Sequence, residues 1–267
     1  MNPRHVIELG AGRRRWHRLA GCALHRLLST LALAMWVWLP GWADAATGDT
    51  FERGVEASRA GQFPEAAAAF EGAAQAHPAA GTLVNLGLAE WQSGHAGLAI
   101  LAWEQAQWID PFEPRARANL EFAREVAQVD PPRLKWYESV STWLPPNAWP
   151  WLAGAALWLA VGLVVLPSFF RRPKAGWHQF LAALTFGVFL FCVTADAGVV
   201  SRTHLGVIVR KNVSLQLTPT RDGETISTLT AGEPVREVRR RGTYVFVQTL
   251  GASGWVDQTA MRLVCPR

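Results

Sequence analysis

The stretch WPWLAGAALWLAVGLVVLPSFF, residues 149–170, decides the fold of this 267-residue chain. It carries no formal charge, and at a rise of about 1.5 Å per residue it is long enough to cross a hydrocarbon core of about 30 Å. A second apolar stretch, residues 177–200, holds Asp196 as its only formal charge, near its end. The sequence therefore predicts two transmembrane helices.

A short basic segment, residues 171–176, joins the two apolar stretches and contains Arg171, Arg172 and Lys174. Positively charged residues in a short loop between spans favour the cytoplasmic side of a membrane. The segment is therefore predicted to be a cytoplasmic turn. The regions before and after the two spans are predicted to lie together on the opposite side.

Residues 1–45 are predicted to be a signal peptide. Arginine-rich residues 13–18 precede apolar residues 27–40 and the small-x-small residues 43–45. Basic, apolar and small-residue regions in this order are typical of a secretory signal, here with cleavage after Ala45. The alternative is an uncleaved signal anchor, which leaves the predicted topology unchanged because the following region stays on the same side.

The net charge of +5 does not indicate a nucleic-acid partner. Of 26 basic and 21 acidic residues, 6 and 2 lie in residues 1–45, which leaves 20 and 19 in the rest of the chain. Because the remainder is nearly neutral, the basic surface that a nucleic acid requires is not predicted.

The chain carries no recognisable catalytic or cofactor motif. A Gly-rich phosphate loop, a Cys pair with metal spacing, a His-Glu-x-x-His helix and a Gly-x-Ser-x-Gly elbow are all missing from the sequence. Cys22, Cys192 and Cys265 form no even set on one side of the membrane, so neither a disulfide framework nor a metal site is indicated. We expect no enzymatic activity, no cofactor and no metal.

Residues 46–128 repeat themselves with an offset of 33 positions, which favours a pair of helices as the repeating unit. Small residues would let the helices approach closely, glycines would form the turns, prolines would end the second helices, and Phe70 and Trp103 would fill the space between them. The matching pairs are Gly54/Gly87, Gly61/Gly94, Ala66/Ala99, Phe70/Trp103, Ala73/Ala106 and Pro78/Pro111.

This pattern resembles the tetratricopeptide repeat, although Arg53 and Ala57 stand where a large apolar residue and an aromatic residue are usual. A partial third unit, RARANLEFAREV (residues 115–126), is predicted to cap the array. The alternative is an alanine-rich pair of helical hairpins without repeat ancestry. Residues 129–148, which contain Trp136 and Trp143, are predicted to be a linker with an interfacial helix.

Residues 204–267 consist of short runs rich in Val, Thr, Leu and Ile that are separated by turn residues, which predicts a small antiparallel β barrel. The turn Leu229–Glu233 and the element Gly254-Trp255-Val256 resemble a bacterial SH3-like domain. Trp255 is predicted to lie in the core of this domain. The run Arg239–Arg241 is interpreted as a solvated hairpin face in preference to a phosphate-binding patch.

The predicted fold class is therefore a multidomain membrane protein with an α-helical tetratricopeptide-like solenoid, two transmembrane helices and a small all-β SH3-like barrel. This order resembles the aerotolerance-related BatE-type membrane proteins. The resemblance implies a non-catalytic scaffold of the bacterial inner membrane, with both soluble domains periplasmic, that acts beside von Willebrand A-type proteins and a MoxR-type ATPase and binds envelope proteins. The alternative is a peptidoglycan-binding anchor that acts through the SH3-like domain.

The two soluble regions carry opposite charge: residues 46–130 hold five basic and twelve acidic residues, and residues 201–267 hold ten basic and five acidic residues. By resemblance to tetratricopeptide grooves, the acidic array is predicted to bind through its first-helix face, where a basic partner segment or the chain's own barrel would dock. A purely structural role for Leu88 and Trp91 is the alternative. The predicted contact residues are Asn85, Leu88, Trp91 and Asn119.

Overall fold

The computed structural model describes residues 45–169, 176–220 and 223–265. The predicted signal peptide therefore lies outside the described residues except for Ala45, and the predicted basic turn lies outside them except for Gly176. The described residues form eight α-helices followed by a seven-stranded antiparallel sheet. The helices are α1 (Ala45–Arg59), α2 (Phe63–Ala76), α3 (Ala80–Gln92), α4 (Ala96–Ile109), α5 (Pro114–Ala127), α6 (Trp136–Val140), α7 (Ala148–Phe169) and α8 (Gly176–Arg202).

Helices α1 to α5, here called the helical region, follow one another with each helix in contact with the next. The turns after α1 and α3 contain Gly61 and Gly94 at φ values of 74° and 79°, a left-handed conformation that favours glycine. Helices α2 and α4 end just before Pro78 and Pro111. The predicted turns and helix ends are thus confirmed.

Two glycine–aromatic contacts hold neighbouring helices of this region close together. A Cβ atom at Gly54 would lie 2.7 Å from the Phe70 ring, and one at Gly87 would overlap the Trp103 ring. Trp103 is fully buried, and its indole N–H donates to the Val84 carbonyl oxygen at 3.2 Å. The 33-residue offset therefore places two equivalent glycine–aromatic contacts in the folded chain.

Helices α7 and α8 are long and apolar enough to cross a membrane, which is consistent with the predicted spans. They pack against each other, with small residues such as Ala153 and Ala195 buried and large ones such as Trp151 and Phe180 exposed. Small residues at the contact allow close approach of two apolar helices. Helix α8 continues past the predicted end of its span to Arg202.

The seven strands pair in the order β3-β2-β6-β5-β4-β1-β7, so β3 and β7 are the edge strands. Trp255 is 5% exposed, as predicted, and its ring centroid lies 5.3 Å from that of Phe246. The strands are β1 (Leu205–Ile208), β2 (Val213–Gln216), β3 (Thr225–Leu229), β4 (Pro234–Arg241), β5 (Tyr244–Gln248), β6 (Ser253–Asp257) and β7 (Met261–Leu263).

The sheet packs on α4. A Cβ atom at Gly97 would lie 2.7 Å from the Ile208 carbonyl oxygen, and one at Gly232 would lie 2.5 Å from Cδ1 of Ile100. Gln105 Nε2 donates to the Leu263 carbonyl oxygen at 3.4 Å. The hypothesis that the chain's own β domain docks on the first-helix face is therefore wrong for this structure. The sheet packs instead on α4, the second helix of a helical pair, where Gly97 leaves room for the backbone of β1.

Candidate functional site

The four predicted binding residues lie on α3 and α5, two neighbouring helices that contact each other. We call the surface formed by Asn85, Leu88, Trp91, Asn119 and Phe122 the α3–α5 face. Leu88 is 42% exposed, whereas Asn85, Trp91 and Asn119 are half-buried. The Trp91 ring lies between the rings of Trp103 and Phe122, with centroid distances of 6.1 and 5.8 Å. Trp91 therefore supports the face from below, while Leu88 stands at its surface.

The structure adds two apolar residues to this surface that the sequence argument did not single out. Phe122 and Val126 are 55% and 57% exposed, and they lie one helical turn apart on α5. Leu88 on α3 is exposed as well, and the contact between the Trp91 and Phe122 rings joins the two helices. The spacing of Phe122 and Val126 from Asn119, at three and seven positions, was the signal in the sequence that could have identified them.

A second concave surface lies between the helical region and the sheet. This cleft has a volume of about 570 Å³. Its apolar walls come from α3, α4 and β7, and include Leu83, Leu98 and Met261. On its rim, Arg262 Nη1 lies 3.1 Å from the Glu71 carboxylate of α2. The cleft is bounded by an ion pair that joins the two soluble regions.

Helix α6 contains a buried carboxylate, Glu138, whose side chain is 0% exposed. Both of its oxygens accept hydrogen bonds from Arg236 of β4, from Nη1 at 2.9 Å and from Nη2 at 3.0 Å. The Ser201 hydroxyl of α8 donates to Glu138 at 2.5 Å, and the Lys135 backbone N–H donates at 2.8 Å. Burial opposes ionisation of Glu138, but the hydrogen bonds from Ser201 and Arg236 outweigh it and hold the pKa of this carboxyl below its usual value.

Further hydrogen bonds connect the surroundings of Glu138 to the two long apolar helices, α7 and α8. The Ser141 hydroxyl is fully buried and donates to the Glu138 carbonyl oxygen at 2.6 Å. Arg202 Nη1 at the end of α8 donates to the Ser141 hydroxyl oxygen at 3.2 Å, and the Trp149 indole N–H of α7 donates to the Ser141 carbonyl oxygen at 3.3 Å. We call this network of Glu138, Ser141, Ser201, Arg202 and Arg236 the junction. It joins α6, α7, α8 and β4.

The hydrogen bonds of the junction hold α6, α7, α8 and β4 together. Glu138 is ionised, sealed from solvent and held by a bidentate arginine, so it has no open side for a substrate.

In the part of the chain that the structure describes, no group of three metal-ligating side chains comes together. Asp196 is half-buried on α8, and Cys192 and Cys265 are free thiols. The lack of enzymatic activity stays a prediction.

Within residues 129–148 the structure has one short helix, α6, and its position at a membrane interface stays a prediction. Trp136 and Trp143 are 68% and 61% exposed, which suits aromatic side chains at a headgroup level.

No known protein-family model, curated protein or solved structure matches this chain.

Proposed function

We propose that this protein is a non-catalytic, membrane-anchored scaffold that holds an envelope protein on the α3–α5 face. The observation that carries the proposal is the exposure of Leu88 and Phe122 on a face that the sheet leaves uncovered, because the sheet packs on α4. Two neighbouring helices with exposed apolar residues form a surface onto which the apolar side of an amphipathic segment can pack.

The negative charge of the helical region indicates which charge the polar side of that segment carries. With five basic and twelve acidic residues over 46–130, the region attracts a basic partner and orients it, mainly through the rate of encounter. We therefore infer that the occupant is a segment of an envelope protein that is apolar on one side and basic on the other.

The finer architecture belongs to the same proposal. In it, the helical region is a tetratricopeptide-like solenoid, the sheet is an SH3-like barrel, and both lie in the periplasm above an inner-membrane hairpin. The repeated glycine–aromatic contacts at a 33-residue offset support the first assignment, and the buried Trp255 of Gly254-Trp255-Val256 supports the second. By resemblance to BatE-type proteins, the partners are von Willebrand A-type membrane proteins and a MoxR-type ATPase.

The test is a photo-crosslinking residue at Leu88 of the full chain in its native membrane. We expect one dominant adduct, with a von Willebrand A-type membrane protein. A crosslinker at Gly72, which is exposed on α2 away from the face, serves as the control and should give no such adduct. The variant Phe122→Ser should abolish the Leu88 adduct while the thermal unfolding midpoint changes little, because Phe122 is largely exposed.

Three results would contradict the proposal: the same adduct from Gly72, an adduct that survives Phe122→Ser, or no adduct at all. Retention of the full chain on purified peptidoglycan, without an adduct from Leu88, would favour the alternative in which the sheet anchors the protein to the cell wall.

A further inference from the structure

A separate cavity of about 270 Å³ lies beside α4, α5 and Arg202 of the junction. Its walls come from these two helices, from residues 131–134, and from the start of β1. Thr142, just after α6, and Arg202, at the end of α8, also line it. The cavity therefore lies near the start of α7, where Trp149 is hydrogen-bonded to Ser141, and near the end of α8.

Among the described residues, the charged side chains that line this cavity are three arginines and one glutamate, an excess of two positive charges; they are Arg117, Arg124, Arg202 and Glu104. Arg124 forms an ion pair with Glu104, and both side chains are mostly buried. Burial raises the pKa of Glu104 even though Arg124 and Arg202 oppose that shift. Among the described lining residues Glu104 is the only carboxylate, and it is thus already engaged by one arginine.

The other two arginines bind neutral groups. Arg202 Nη1 donates to the Ser141 hydroxyl oxygen, and its guanidinium carbon lies 4.8 Å from the centroid of the Trp108 ring. Arg117 Nη2 donates to the Pro111 carbonyl oxygen at 3.2 Å. Neither forms an ion pair with a carboxylate of the described residues. Glu104 and Glu138 attract Arg202 through space, but their direct ion pairs are with Arg124 and Arg236.

The described lining of this recess therefore carries more positive than negative charge, although Glu104 and Glu138 both attract Arg202. A guanidinium cannot shed its charge by losing a proton, since its pKa lies far above neutral pH. Arg202 is partly buried whereas Arg117 is exposed, and a partly buried cation is stabilised by an anion that accepts its hydrogen bonds. The planar forks of arginine match the oxygens of a phosphate group, which accepts two parallel hydrogen bonds from each fork.

We propose that this cavity is a binding site for a phosphate group, held by Arg117 and Arg202 with Arg124 beside them. The position at the end of the apolar helices gives two sources for the ligand, which share the same chemistry: the headgroup of an anionic phospholipid and a free phosphate. A lipid phosphate bound here would fix the depth at which α7 and α8 sit, because Arg202 belongs to α8.

The site is tested with the full chain. In a neutral detergent, inorganic phosphate at constant ionic strength should raise the thermal unfolding midpoint saturably. In nanodiscs of phosphatidylcholine with added phosphatidylglycerol, native mass spectrometry should show phosphatidylglycerol retained preferentially. Arg117→Gln should weaken whichever ligand binds by about tenfold, the effect of one charge-assisted hydrogen bond. Arg115→Gln is the matched control, since Arg115 lies on the same helix but pairs with Glu113 outside the cavity.

Preferential lipid retention that Arg117→Gln abolishes would support the site and assign the ligand to the membrane. A saturable phosphate effect without lipid preference would support the site and assign it to a soluble phosphate. The proposal is overturned if neither ligand binds, or if Arg117→Gln and Arg115→Gln have equal effects. Arg117 is exposed and forms no ion pair with a described residue, so its replacement should leave the fold intact.

Discussion

Glu138 is the residue on which the arrangement of the soluble regions depends most. Its partner Arg236 lies 98 positions further along the chain, so the pair could not be predicted from local sequence. The segment Trp136-Tyr137-Glu138 has the composition of an interfacial helix, in which a carboxylate would ordinarily face water. The structure instead buries Glu138 because α6 packs on α8, where a Cβ atom at Gly198 would overlap the Tyr137 carbonyl oxygen.

Replacing Glu138 should destabilise the protein strongly. Glu138→Gln leaves the largely buried Arg236 without a negative partner, and breaking a buried ion pair from one side costs about 3–5 kcal/mol. The control is Glu113→Gln, which removes an ion pair with Arg115, a mostly exposed side chain, and should cost less than about 1 kcal/mol. Denaturant titration in detergent, followed by circular dichroism, measures both values. Equal effects would show that the junction contributes no more than a surface ion pair.

The same carboxylate predicts a pH dependence. Because the pKa of folded Glu138 is lowered, its contribution is complete above the unfolded value of about 4.3 and is lost as the pH falls below that value through the folded pKa. The stability difference between the parent and Glu138→Gln should therefore shrink on acidification below about pH 4. The raised pKa of Glu104 makes the stability depend on pH in the opposite direction. This contribution cancels in the difference between the two proteins, because both carry Glu104. A difference that grows on acidification would contradict the assignment.

At the level of helices and strands, much of the fold could be predicted because the signals are local. Gly61 and Gly94 mark turns that need a left-handed backbone, prolines mark helix ends, and two long apolar stretches form α7 and α8. Contacts between elements were harder to predict. Ile100, one of the α4 residues that meet the sheet, has the same character as residues that pack inside the helical region. Nothing in a single sequence distinguishes these two roles.

The glycine–aromatic contact between α3 and α4 predicts that two glycine-to-alanine substitutions change the stability of the protein in opposite directions. Gly87→Ala should destabilise the protein by about 1–3 kcal/mol, because the new methyl group overlaps the buried, hydrogen-bonded Trp103 ring. Gly72→Ala, in the interior of α2 and facing open space, should stabilise by up to about 1 kcal/mol through helix propensity. Thermal unfolding of both variants provides the comparison. A stabilising Gly87→Ala would rule out the close contact.

For the whole molecule, opposite charges on the two soluble regions were a sound reason to expect them to meet, but charge alone did not identify the contact surface. The acidic residues are spread over the helical region, so the contact is selected by shape: Gly97 admits the backbone of β1, and the pair Arg262–Glu71 closes the rim. The consequence for function is that the α3–α5 face remains available to a partner. The predicted residues Asn85, Leu88, Trp91 and Asn119 are brought together there, while their role in binding stays a prediction.

Cysteine crosslinking in cells tests most directly whether the helical region and the sheet pack together, and whether they do so outside the cytoplasm as proposed. Glu71→Cys and Arg262→Cys, both at accessible positions, are combined in a chain whose native cysteines are replaced by serine. A short, membrane-impermeant bismaleimide is then applied to cells with a permeabilised outer membrane. We predict an intramolecular crosslink for this pair and none for the control pair Leu88→Cys with Arg262→Cys. A crosslink that forms only after the inner membrane is opened would contradict the proposed compartment, and no crosslink under either condition would contradict the packing of the two regions.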